Sequence, residues 1–138
     1  MAYAGDVSSR QAWEALARDP RATLVDVRTI PEWSYVGIPV LDGISKKPMF
    51  VCWQRFPDMA VNEHFAEELA GLGARKDDAL YFLCRSGARS RSAAEAMTRL
   101  GYTRCFNVAD GFEGPRDGDG HRSRLAGWKA SDLPWIQE

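Results

Sequence analysis

The sequence predicts an α/β fold in which a mainly parallel central sheet carries helices on both faces, formed as a single domain over residues 1–138. Three observations predict it. Short apolar, β-branched runs alternate with segments of helical period, the order that gives right-handed βαβ crossovers. The most apolar run, Ala79-Leu80-Tyr81-Phe82-Leu83, leads straight into a cysteine and then a glycine-containing loop that opens a helix. A length of 138 residues with 45% hydrophobic content suits one compact core.

Taken in order, Ser8 or Ser9 caps a helix over 10–18, where Trp13, Leu16 and Ala17 recur at helical spacing, and Asp19-Pro20 stops it. Residues 23–27, Thr-Leu-Val-Asp-Val, read as a buried strand ending in charge at Arg28. The proline- and glycine-punctuated stretch 29–48 reads as loop, with a short strand near Val40-Leu41. A strand over 49–53 and an irregular segment over 54–61 follow, then a helix over 63–72 capped by Asn62, with Phe65, Leu69 and Leu72 on one face. After the 79–83 strand, a helix over 90–100 places Ala93, Ala94, Met97 and Leu100 together, closed by Gly101. A last strand covers 105–108. The tail from 110 onward, rich in glycine and charge but holding Trp128 and Trp135, reads as an ordered flap, because disordered segments are poor in aromatics.

Bulk properties narrow the function classes. A net charge of -1, from 18 basic and 19 acidic residues, supplies no global attraction to nucleic acid or anionic membrane. No basic-then-apolar leader opens the chain and no apolar run is long enough to span a bilayer, so a cytoplasmic location is expected. Cys52, Cys84 and Cys105 are odd in number and widely spaced, which fits neither a disulfide framework nor a zinc site.

The chemistry concentrates at Cys84-Arg85-Ser86-Gly87-Ala88-Arg89-Ser90. In a parallel sheet, ligands bind beyond the carboxyl ends of strands, and Cys84 stands at one of them. A loop entering a helix aims unpaired N–H groups at a common centre, and the helix dipole adds partial positive charge. Arg85, Arg89 and Arg91 crowd the same residues, and cations beside a cysteine favour its nucleophilic thiolate. Gly87 lets the backbone curl around the sulfur.

These residues resemble the active-site loop of rhodanese-like sulfurtransferases. Leu24-Val25-Asp26-Val27-Arg28 is similar to that family's early Asp-x-Arg strand, Pro31-Glu32-Trp33 to the step after it, and Gly111-Phe112 and Gly127-Trp128 to its closing turns. Where many members carry Gly-His-Ile-Pro-Gly-Ala, this chain has Val36-Gly37-Ile38-Pro39-Val40-Leu41 and lacks the histidine. The resemblance implies a rhodanese-like domain needing no cofactor or metal, in which the cysteine takes a sulfane sulfur, becomes a persulfide and passes the outer sulfur on. In related phosphatases and arsenate reductases an arginine follows the cysteine and five residues, a place held here by Ser90. The arginine instead comes one residue earlier, at Arg89, and the resemblance ties that shorter ring to sulfur rather than an oxyanion.

On this reading Cys84 is the nucleophile, residues Arg85, Ser86, Gly87, Ala88, Arg89 and Ser90 bind the donor, and Asp26, Arg28 and Glu32 support the pocket wall. The expected donor is a small anion such as thiosulfate, paired by Arg85 and Arg89, and the acceptor is cyanide or a thiol. A second hypothesis makes the chain a persulfide carrier or sensor fed by a protein partner. An exposed apolar rim would favour that partner, and a narrow basic pocket the small donor. Cys52 and Cys105 are expected as small buried hydrophobes, either one acting as a resolving thiol only within disulfide reach of Cys84. Asp117-Gly118-Asp119-Gly120-His121 superficially suggests calcium but reads as a turn.

Overall fold

The structure, a computed structural model, describes residues 3–137. Its centre is a parallel sheet of five strands: β1 (Gly5–Val7), β2 (Ala22–Asp26), β4 (Met49–Phe50), β7 (Ala79–Leu83) and β8 (Arg104–Val108), in the order β1-β8-β7-β2-β4. Every residue of β7 is buried, as expected for a central parallel strand with both faces covered. Its register to β2 runs Ala22↔Ala79 to Asp26↔Leu83, and to β8 Ala79↔Arg104 to Phe82↔Asn107. The carboxyl ends of β2, β7 and β8 therefore finish side by side, with Asp26, Leu83 and Asn107 as near neighbours.

Alternation along these strands sorts the core into two layers. Val25, Val27, Leu80 and Phe82 face α3 (Phe65–Gly71) and α4 (Ala88–Arg99) through Phe65, Leu69, Ala93, Ala94 and Met97. Leu24, Tyr81 and Leu83 face α1 (Ser9–Arg18) and the C-terminal segment through Ala12, Leu16, Phe112 and Trp128. Ser8 caps α1, accepting from the Gln11 N–H at 3.1 Å while the Gln11 side chain accepts from the Ser8 N–H at 2.8 Å.

The connections depart from the sequence reading at several points. The stretch read as loop contains α2 (Ile30–Tyr35), which buries none of its residues and so offers no apolar stripe to detect. The expected short strand falls at β3 (Ile38–Pro39) instead, pairing antiparallel with β9 (Trp135–Ile136). Residues 54–61 form a hairpin, β5 (Gln54–Arg55) with β6 (Ala60–Val61). Of the strand expected over 49–53, Met49 and Phe50 form β4, paired with Val25 and Asp26. α3 begins at Phe65, with Asn62 Oδ1 instead accepting from the His64 N–H at 3.0 Å ahead of it. α4 begins at Ala88, two residues ahead of the expected start.

The C-terminal flap is ordered. Trp128 is fully buried, stacks edge-on to Trp13 and donates its indole N–H to the Pro134 carbonyl at 2.7 Å. Asp117 serves a surface turn, accepting from the N–H groups of Asp119 and His121.

Candidate active site

Cys84 is the first residue beyond β7 and is 1% exposed. The loop returns over it, so that the Gly87 N–H donates to Cys84 Sγ at 3.2 Å. Gly87 holds φ +105°, and a Cβ there would meet the Ala109 carbonyl oxygen at 2.3 Å, so only glycine fits. Behind it α4 opens directly. The Arg91 N–H is the first to bond back, to the Gly87 carbonyl at 3.2 Å, which leaves the N–H groups of Ala88, Arg89 and Ser90 as the open first turn of a twelve-residue helix.

The flap fastens the outer side of this loop. The Phe112 N–H donates to the Cys84 carbonyl at 2.8 Å, and those of Glu113 and Gly114 share the Arg85 carbonyl at 3.0 and 3.1 Å. Gly111 permits the approach, since a Cβ there would lie 2.3 Å from the Arg85 carbonyl oxygen. The loop is thus backbone-fixed from within by α4 and from without by the flap.

The two loop arginines differ. Arg89 is half-buried and makes a two-pronged pair with Glu32 of α2, at 2.7 and 2.9 Å. Burial works to raise the Glu32 pKa, but the Arg89 hydrogen bond and charge, with the Thr29 bonds, outweigh it and hold the carboxyl below its ordinary range. Burial likewise works against the Arg89 guanidinium, and Glu32 more than restores it. Arg85 is exposed and, among the described residues, has no acidic partner within salt-bridge distance. Arg91 is exposed on α4. Glu32, Val36, Gln54, Met59, Arg85, Arg89 and Glu113 line one open cleft of about 420 Å³ above the loop. Ser86 and Ala88 are exposed on the loop, while Ser90 is wholly buried beneath it, 3.1 Å from Cys84 Sγ.

Asp26 and Arg28 lie beside the loop but point into the molecule. Both are fully buried, joined by Arg28 Nε to Asp26 Oδ1 at 2.9 Å and Nη2 to Oδ2 at 2.7 Å. Arg28 also donates to the Gly37 carbonyl at 2.8 Å and stacks its guanidinium on the Phe112 ring, 4.2 Å from the centroid. They tie β2, the β3 approach and the flap together beneath the cleft.

Trp53 packs into the core against Phe65, Trp33 stacks edge-on with Phe50, and Phe56 projects into solvent at 63% exposure. Cys105 is buried on β8 opposite Leu80. Four residue steps along the strand separate that level from Cys84, roughly 13 Å, too far for a disulfide. Cys52 is half-buried rather than core, in a separate cavity with Ile30, Pro31, Arg55 and Phe56, and burial pushes its thiol pKa up. Sequence reasoning missed Asn107, whose amide reaches Ser90 from the end of β8; a polar residue placed in an apolar strand was the available signal.

A parallel sheet with a cysteine loop at its central carboxyl end and a helix opening behind is a rhodanese-like fold, shared with the relatives that follow. The chain belongs to the family described as the STR4 middle domain, whose model matches residues 4–138. The crystal structure of Rv0390 from M. tuberculosis is 46% identical, superposes with a TM-score of 0.91, and covers 99% of this chain and 100% of its own. Uncharacterized protein RC0915 of Rickettsia conorii is 40% identical over 131 residues, covering 94% of this chain and 95% of its own length. Protein THYLAKOID RHODANESE-LIKE, chloroplastic, of Oryza sativa subsp. indica is 32% identical over 132 residues, covering 95% of this chain but 25% of its own. At 20% identity and a TM-score of 0.65, the polysulfide-sulfur transferase homodimer from Wolinella succinogenes shares the fold, over 96% of this chain and 78% of its own. No helix among the described residues is long and apolar enough to cross a membrane.

Proposed function

We propose that this protein is a sulfurtransferase working through a persulfide on Cys84. The observation that carries the reading is the setting of Sγ at the carboxyl end of β7, with the Gly87 N–H on it and the first turn of α4 opening behind. The Cys84 thiolate attacks the outer sulfur of a donor such as thiosulfate, the donor's S–S bond breaks, and sulfite leaves with the electron pair. An acceptor thiol or cyanide then attacks the outer persulfide sulfur, and the Cys84 thiolate departs. Arg85, with no acidic partner among the described residues, is the cation best able to meet the donor's sulfonate oxygens. Arg89 is held by Glu32 and shapes the wall. A reducing compartment such as the cytoplasm suits a chemistry that needs a free thiol.

A second reading, in which a protein partner delivers the sulfur, is favoured by the β5–β6 hairpin. Phe56, Met59 and Val61 are exposed on it, and Met59 and Gln54 reach the cleft.

Intact mass before and after thiosulfate tests the reaction, with Cys84→Ser alongside. The mass rises by one sulfur atom in the native protein and not in the variant. A gain retained in Cys84→Ser removes the proposal, and no gain with thiosulfate but a gain from a persulfidated protein donor selects the partner-fed route.

A further inference from the structure

The hydrogen bonds behind Cys84 continue well past the loop. Ser90 Oγ, 3.1 Å from Cys84 Sγ, lies 2.6 Å from Asn107 Oδ1. Asn107 Nδ2 donates to Asp6 Oδ1 at 3.1 Å, and the Tyr3 hydroxyl donates to the same oxygen at 2.6 Å. Ser90 is fully buried, Asn107 is 3% exposed, and Asp6 reaches solvent on β1. A polar line therefore runs from the surface at β1, through the end of β8, to the sulfur.

The direction of each bond follows from what each group can do. An ionised carboxylate only accepts, so Asp6 takes the NH₂ edge of the Asn107 amide. That turns the amide oxygen toward Ser90, and an amide oxygen also only accepts. Ser90 has one proton and gives it to Asn107. Only lone pairs of Ser90 then face Cys84, an arrangement satisfied when the thiol S–H donates to them. A thiolate has no proton to offer, and although the Gly87 N–H already donates to it, its charge is repelled by those lone pairs. Ser90 must then swing its hydroxyl onto Sγ, and Asn107 Oδ1 is left buried without a donor. In the persulfide the charge moves to the outer sulfur, so Sγ releases Ser90 back to Asn107.

We propose that Asn107, oriented by Asp6, is a positioning residue that competes with Cys84 for the single proton of Ser90 and so sets how readily the Cys84 thiolate forms. The network is satisfied in the thiol and in the persulfide and incomplete in the bare thiolate, which drives the thiolate toward taking up sulfur. This goes beyond the transfer reaction, because it concerns ionisation of the thiol whatever sulfur species arrives.

Other charges surround the loop and the outer end of this line. They are Arg85 and Arg89 of the loop, Glu32 of α2 paired to Arg89, the Asp26–Arg28 pair after β2, Glu113 of the flap, and Arg91 and Glu95 of α4 near Tyr3. Variants at Asn107 leave all of them in place.

The test is the rate of Cys84 alkylation by iodoacetamide across pH, read on the Cys84 peptide by mass spectrometry in the full chain with no sulfur donor. Asn107→Leu removes the competing acceptor, frees the Ser90 proton for Sγ, and lowers the pH midpoint of alkylation by roughly half to one unit. Asn107→Asp holds the proton harder and raises it. Ser90→Ala also raises it, and in that background Asn107→Leu has no further effect. An unchanged midpoint in folded Asn107→Leu overturns the proposal, as does an equal shift with and without Ser90. Circular dichroism and thermal melting report folding. If Asn107→Leu does not fold, the surface variant Asp6→Asn serves: it lets the Asn107 amide turn its NH₂ toward Ser90 and lowers the midpoint only while Ser90 is present. Alkylation uses no sulfur donor, so a protein that never accepts sulfur from thiosulfate still answers this question.

Discussion

Arg89 and Glu32 show how one residue pair reshapes a pocket that two arginines would otherwise make strongly basic. Each side chain is less than a fifth exposed, and the two-pronged geometry with the Thr29 contacts to Glu32 gives the pair a fixed orientation. Such a pair contributes on the order of 1 kcal/mol. Because the folded carboxyl is held below its unfolded value, this stability is present at neutral pH and is lost as pH falls through the acidic carboxylate range, below about pH 4. Glu32→Gln removes that dependence. Thermal melts should find the variant less stable than the native protein at pH 7 by about 1 kcal/mol, with the gap closing toward pH 3. The same substitution frees Arg89 to meet an anion, so the affinity for thiosulfate should rise while stability falls.

At the scale of elements, the loop between β7 and α4 depends on Gly87, whose left-handed φ and contact with the Ala109 carbonyl exclude a side chain. Gly87→Ala should cost roughly 2 kcal/mol or more in a urea melt, since it combines backbone strain with an overpacked contact. It should also abolish persulfide formation by displacing the N–H on Sγ. Equal stability in that variant would mean that the loop yields. This element was legible in the sequence because strand, cysteine, glycine and helix follow one another without a break, and local chemistry dictates the turn. The β2, β7 and β8 strands were legible through their apolar runs, and α1 and α4 through their spacing. What stayed hidden depends on partners distant in the chain. α2 has no buried residue to give it a period, and β1 and β9 are too short to read except through β8 and β3. The Glu32–Arg89 pair spans 57 positions and the Asn107–Ser90 bond 17, and neither leaves a local pattern. Asp26 and Arg28 were legible as a unit, but their inward orientation was settled only by the Phe112 ring and Gly37 carbonyl that receive them.

For the molecule as a whole, the C-terminal segment couples the second core layer to the Cys84 loop. Trp128 fills the space between the sheet and α1 with its ring, its backbone N–H donates to the Gly111 carbonyl at 2.8 Å, and Gly111 in turn lies against the Arg85 carbonyl. The flap carrying Gly111 is the layer that donates to Cys84 and Arg85. Trp128→Ala should therefore act at two levels. Loss of the buried ring costs about 3–5 kcal/mol, which for a domain of this size lowers the melting temperature by on the order of 10 °C or more. The released flap should exchange its amide hydrogens faster, first at the Phe112, Glu113 and Gly114 N–H groups that hold the loop. With its cover loosened, Cys84 should react faster with an uncharged alkylating agent, yet transfer sulfur more slowly because the loop no longer holds one geometry. If instead exchange rises only around residues 128–135 and the loop amides stay protected, the flap holds the loop without Trp128 and the two layers are independent.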